Sequence, residues 1–137
     1  MIKSVWINLP VKNISTSVAF YKALGFTHTP HGQSEHSAGF QIGTGGFVMM
    51  LFQEQVFKSV VQAEPSDALM DAEMMISVDA ESREEVDGLA KKAADAGGTV
   101  FLKPTDSQGY MYGCGFADPD NHRWNVIYMD AAKMPKS

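Results

Sequence analysis

The sequence predicts an α+β protein built from two βαβββ modules, and three observations predict it. A strand-like run, a helix-like run and a glycine stop follow one another twice along the chain. After each stop the chain returns to strand-like runs divided by turn residues. The 137 residues, 45% hydrophobic and 20% charged, suffice for one sizeable core within a single domain 1–137.

The first module, 1–54, opens with strand-like Ser4 to Val11. Asn13 is placed to cap a helix through SVAFYKAL, with Val18, Tyr21 and Leu24 on one side and Gly25 as the stop. Phe26 to Thr29, Gly39 to Ile42 and Phe47 to Phe52 then read as strands, the last two joined by the hairpin Gly43-Thr44-Gly45-Gly46. A phosphate cradle would need a helix after that glycine-rich turn, and FVMMLF is a strand. Residues 55–72 form the connection, with a short helical piece at Val56 to Val61 and a turn at Glu64-Pro65-Ser66-Asp67.

The second module, 73–130, begins with strand-like Glu73 to Val78. Ser82-Arg83-Glu84-Glu85 has the spacing of a capping box, followed by a helix with Val86, Leu89, Ala90 and Ala93 on one face and Gly97-Gly98 as its stop. Thr99 to Leu102, Met111 to Phe116 and Arg123 to Met129 supply the three strands. Between the last two, Asp118-Pro119-Asp120-Asn121 is a hairpin corner: proline pre-sets φ, Asp side chains bond their own backbone, and Asn121 tolerates a left-handed conformation. Residues 131–137 are a tail.

A net charge of -5 and a pI near 5.2 leave no basic stripe for phosphates, which argues against nucleic acid as a partner. No apolar stretch has membrane-spanning length and the opening residues lack a secretory core, so the expectation is a cytoplasmic protein with no membrane partner. Cys114 alone forms no internal disulfide and reads as a small buried strand residue. Nine methionines need no cofactor, because the pairs Met49-Met50 and Met74-Met75 each send one side chain to either face of a strand.

NLPVKNISTSVAFYKALGF at the start and GFADPDNHRWNVIYMD at the end, joined by SREEVDGLAKKAADAGG and QGYMYGCGF, resemble the vicinal oxygen chelate superfamily of glyoxalases, bleomycin-resistance proteins and extradiol dioxygenases, in a glyoxalase-like branch. The resemblance covers essentially the whole chain. It implies that each module curls its sheet, that the two enclose a cleft, and that the protein is a homodimer. It also implies a divalent metal (Zn, Ni, Mn or Fe) held by one residue from the first and one from the last strand of each module.

Strand alternation selects the cleft-facing residues. Packing Val5, Ile7 and Leu9 under the helix leaves Trp6 and Asn8 for the cleft; Met74, Ile76 and Val78 leave Glu73, Met75 and Ser77; Trp124, Val126 and Tyr128 leave Asn125 and Ile127. In the doubly apolar run Phe47 to Phe52, Met50 and Phe52 are assigned to the cleft. The positions matching the metal ligands are then Trp6, Met50, Glu73 and Asn125, of which only Glu73 is a sound ligand. His28, His31 and His36 with Glu35 lie in a loop carrying Pro30 and Gly32, which gives metal ligands no rigid scaffold, and His122 reads as a surface residue.

These residues predict a metal-independent cleft for a small hydrophobic or aromatic ligand, lined by Trp6, Asn8, Met50, Phe52, Met75, Asn125 and Ile127, with Tyr110 and Tyr112 at its rim. The acidic balance suits a cationic ligand. Glu73 is the candidate catalytic residue, a general base if the apolar cleft encloses it and a frayed strand end if it does not. A metal-dependent lyase or dioxygenase and a non-catalytic dimerisation module are the alternatives.

Overall fold

The computed structural model describes residues 4–30, 33–65 and 74–135. Glu73, His31, Ser66 and Asp67 lie outside them. The chain divides into two compact units, Met1–Asp67 and Ala68–Ser137.

The first unit runs β1 (Trp6–Val11), α1 (Ile14–Ala23), β2 (Thr27–Thr29), β3 (Ser37–Ile42), β4 (Phe47–Gln53) and α2 (Glu54–Val61). Its sheet has the order β1-β4-β3-β2, with β1 parallel to β4 and the other pairs antiparallel. The parallel pair requires a crossover, and α1 begins it. Asn13 starts α1, its Oδ1 accepting from the Thr16 N–H at 3.0 Å, and Gly25 ends the turn at φ +92°. The buried stripe of α1 is Ser17, Phe20, Tyr21 and Leu24, which places its centre a residue earlier than Val18 implied. The two large aromatic rings decide that rotation, since together they remove more apolar surface from water than Val18 could. Beneath them lie Leu9, Val11, Phe40, Met49 and Leu51. The expected helical piece in the connection is α2, which starts at Glu54 and packs on β1 and β4.

The second unit repeats the plan with β5 (Met75–Asp79), α3 (Arg83–Asp95), β6 (Thr99–Ser107), β7 (Met111–Ala117) and β8 (Arg123–Met129), in the order β5-β8-β7-β6. A 3-10 turn, Ala131–Lys133, follows. At the start of α3 the Glu85 N–H donates to Ser82 Oγ at 3.1 Å, while Glu85 Oε1 reaches back to the Glu81 N–H at 3.1 Å. The expected capping box is therefore present, shifted by one residue on its return bond. Val86, Ala90 and Ala93 of α3 cover Cys114, Phe116, Trp124 and Val126.

β6 runs to Ser107, well past Leu102, where the sequence reading ended it, and so takes in Pro104. It is an edge strand, and its register with β7 shifts between Val100 and Leu102 and again between Leu102 and Thr105. Pro104 falls inside the second irregularity, where no ladder donor is required.

The 118–122 corner forms as expected, with Asn121 at φ 67°. Asp118 is buried, and its carboxylate accepts from the Asp120 N–H at 3.0 Å, the His122 N–H at 2.7 Å and His122 Nδ1 at 2.8 Å. His122 is consequently not a surface residue: its side chain is 12% exposed and closes the corner from within.

Candidate functional site

In each unit the crossover helix, α1 or α3, covers one face of the sheet, and parity decides which side chains reach the opposite, free face. In the first unit Leu9, Val11, Met49 and Leu51 are buried, whereas Trp6, Asn8, Met50 and Phe52 alternate with them. Asn8 pairs with Met50, and Met50 with Gly39, so a polar amide and a thioether lie side by side in the middle of that face. Trp6 is 58% exposed at the start of the edge strand.

In the second unit Trp124 and Val126 are buried and Asn125 and Ile127 occupy the free face. Ser77 and Met75, the latter 50% exposed, join them from β5. The Ser77 hydroxyl donates to Asn125 Oδ1. Asn125 pairs on its other side with Gly115, and Ile127 with Gly113. Gly113, facing Ile127, leaves a depression, a recess of about 140 Å³ lined chiefly by Leu102, Thr105, Met111, Gly113, Asn125 and Ile127.

The glycines are dictated by close approach. A Cβ on Gly113 would meet the Val126 carbonyl oxygen at 2.7 Å, and one on Gly115 would meet the Phe101 ring at 2.5 Å. Phe101 takes that place through the first register shift of β6, which leans both Phe101 and Leu102 toward the free face. The guanidinium of Arg123 lies over the Phe101 ring, 4.5 Å from its centroid. Gly113, Gly115, Phe101, Leu102 and Arg123 carry this geometry and escaped the sequence reading. The signal present was Gly-Cys-Gly inside a strand, which marks close approach of a neighbour.

Tyr112 faces away from the recess. It pairs with Tyr128 on the helix side, its hydroxyl donates to Asp87 of α3 at 2.6 Å, and Arg83 of α3 lies over its ring at 4.9 Å. That bond to Asp87, with burial second, raises the phenol above its ordinary range. Tyr110 sits in the β6–β7 turn with its hydroxyl on Gln108 Oε1 at 3.1 Å, outside the recess lining. Cys114 is buried with its thiol toward the Val86 carbonyl oxygen at 3.9 Å, and burial pushes the thiol up, which suits a core residue and not a nucleophile. His28 bonds Gln33 at 2.7 Å and leans on Phe40, while His36 bonds Gln53 at 2.6 Å. Among the described residues no three His, Cys, Asp or Glu side chains converge as metal ligands.

A sequence profile of the Glyoxalase/Bleomycin resistance protein/Dioxygenase superfamily matches residues 3–126. The chain belongs to that superfamily. It is similar to the solved structure of hypothetical protein SA1046 from S. aureus, at 38% identity and TM-score 0.81, with 93% of this chain and 94% of that one covered. It shares its fold with a glyoxalase-related enzyme from Fulvimarina pelagi, at 20% identity and TM-score 0.80 over 93% and 88% of the two chains. The same holds for a glyoxalase/bleomycin resistance protein/dioxygenase family enzyme from Burkholderia phytofirmans PsJN, at 21% identity and TM-score 0.77 over 91% and 97%. No curated protein matches.

The metal that this superfamily implies meets an unsuitable donor set at the described positions. An indole at Trp6 offers no lone pair, the Met50 thioether is a soft donor, and Asn125 Oδ1 is already engaged by Ser77. These three do not fit a hard or borderline divalent ion.

Proposed function

We propose that this superfamily member binds a small, mostly apolar or aromatic molecule on the free face of its second unit, without a metal ion. The observation that carries the reading is the recess itself: Leu102, Met111 and Ile127 supply apolar walls, and Asn125, Thr105 and Ser107 are the polar residues among them. Apolar walls with few polar groups are the usual composition of a ligand site. Its volume of about 140 Å³ is close to that of a dry cavity that accepts one benzene ring, roughly 150 Å³. A ring or short branched chain is therefore the part of the ligand it takes. With Oδ1 occupied by Ser77, the Asn125 NH₂ remains as a donor, so the ligand presents an acceptor oxygen beside its apolar body. The setting proposed is a cytoplasmic homodimer that sequesters such a compound; the single cysteine agrees with a reducing compartment.

The test is calorimetric titration of phenylbutanol into the chelator-treated, tag-free chain and into Ile127→Lys, which puts a charge into the recess. Saturable binding, lost in Ile127→Lys, is expected. Binding that appears only after a divalent metal is added would favour a metal-dependent lyase or dioxygenase instead.

A further inference from the structure

Arg123 stands apart from the ion pairs found among the described residues. Its Nε is buried with no hydrogen-bond partner among the described residues. The described contact of its guanidinium is the Phe101 ring, which itself rests on Gly115. A guanidinium lying over an aromatic ring uses its flat face there and keeps the N–H donors of its edge, a fork that matches a carboxylate.

The place of this fork relative to the recess is fixed by the strand. Arg123, Asn125 and Ile127 alternate on one face of β8, and residues two apart on a strand are separated by about 7 Å. Phe101 and Leu102 bridge the interval, the first under the guanidinium and the second in the recess wall. A cation, an amide donor and an apolar depression thus succeed one another along a single line.

We infer that this face recognises an amphiphilic carboxylate: an aromatic or branched aliphatic body lodged over Gly113 and Ile127, with its carboxylate held by the Arg123 fork. The inference rests on the recess being a ligand site, as proposed above. It reverses the expectation from net charge, which favoured a cation, because the charge a ligand meets is the one within a few ångströms and not the sum over the surface.

Calorimetric titration of the chelator-treated full chain with phenylbutyrate, phenylbutanol and phenylbutylamine separates the two claims. The expected order is butyrate, then alcohol, then amine, with the butyrate favoured over the alcohol by about tenfold, the ordinary worth of a hydrogen bond to a charged group. Added salt reduces that preference. Arg123→Gln brings the butyrate-to-alcohol ratio toward one, whereas Lys91→Gln, which removes the same charge from α3 on the other side of the sheet, preserves it. Equal affinity of the wild-type chain for butyrate and alcohol overturns the inference while leaving the recess as a ligand site, and needs no variant to be read. A preference that survives Arg123→Gln also overturns it. Absence of binding by all three compounds overturns the recess reading and the inference together.

Discussion

Gly113 and Gly115 are both too close to a neighbour for a side chain, yet replacing them with alanine has different expected consequences. At Gly113 the new Cβ lies 2.7 Å from the Val126 carbonyl oxygen, a backbone atom of the central strand β8. Relief requires the β7–β8 ladder to part by several tenths of an ångström, an overpacking cost of about 1–3 kcal/mol. A gain of about 0.4–1 kcal/mol from restricting the unfolded chain offsets part of it. At Gly115 the clash is with Phe101 ring atoms at 2.5 and 2.6 Å, but that ring is 42% exposed and free to swing outward. What is lost there is the stacking with Arg123, about 0.5–1 kcal/mol, which the same unfolded-state gain nearly cancels. Gly113→Ala should therefore be destabilised by about 1–2 kcal/mol relative to Gly115→Ala, or roughly 3–8 °C in melting temperature for a chain of this size. Urea and thermal unfolding followed by circular dichroism measure the gap. Equal stabilities, or Gly115→Ala the weaker, would refute the assignment of the two contacts to backbone and mobile side chain.

Asp118→Ala should lower stability by about 3 kcal/mol in urea unfolding, because two backbone N–H groups and the His122 ring lose their buried acceptor together. Cys114 should react with an aromatic disulfide reagent at mildly alkaline pH only after denaturant is added, since burial both covers the thiol and raises it; fast reaction of the folded chain would contradict its place under α3. Tyr112 holds its proton more tightly when folded, chiefly through the bond to Asp87, so its contribution is complete below the unfolded value of 10.0 and is lost as pH rises through the raised one. In Tyr112→Phe the decline of the urea midpoint on that alkaline limb should be shallower than in the wild-type chain.

The βαβββ repeat was legible because its signals are local. Asn13, Ser82, Gly25 and Gly97 start and stop α1 and α3 through hydrogen bonds and φ values that a few residues determine. Parity was legible in the middle of the strands: burial of Leu9, Met49, Leu51, Trp124 and Val126 follows from alternation, even in β4, where both faces are apolar, whereas Val5 and Met74, assigned to the covered face, precede β1 and β5 and are exposed. The recess was not legible, because it depends on which residues are opposite one another. Gly113 faces Ile127 and Gly115 faces Asn125 only through the β7–β8 register, and Phe101 covers Gly115 only through an irregularity of the edge strand. His122 was misplaced for the same reason. Its ring is drawn inward by Asp118, whose burial is a tertiary fact.

Calorimetric titration of phenylbutyrate into the metal-stripped chain, repeated after addition of zinc, nickel, manganese or iron, tests most directly whether the ligand is held by this chain's own side chains. The expected result is saturation of a single site per chain with the same affinity before and after each metal. Binding that is absent from the stripped chain and restored by one of these ions, and lost again in Glu73→Ala, would contradict it.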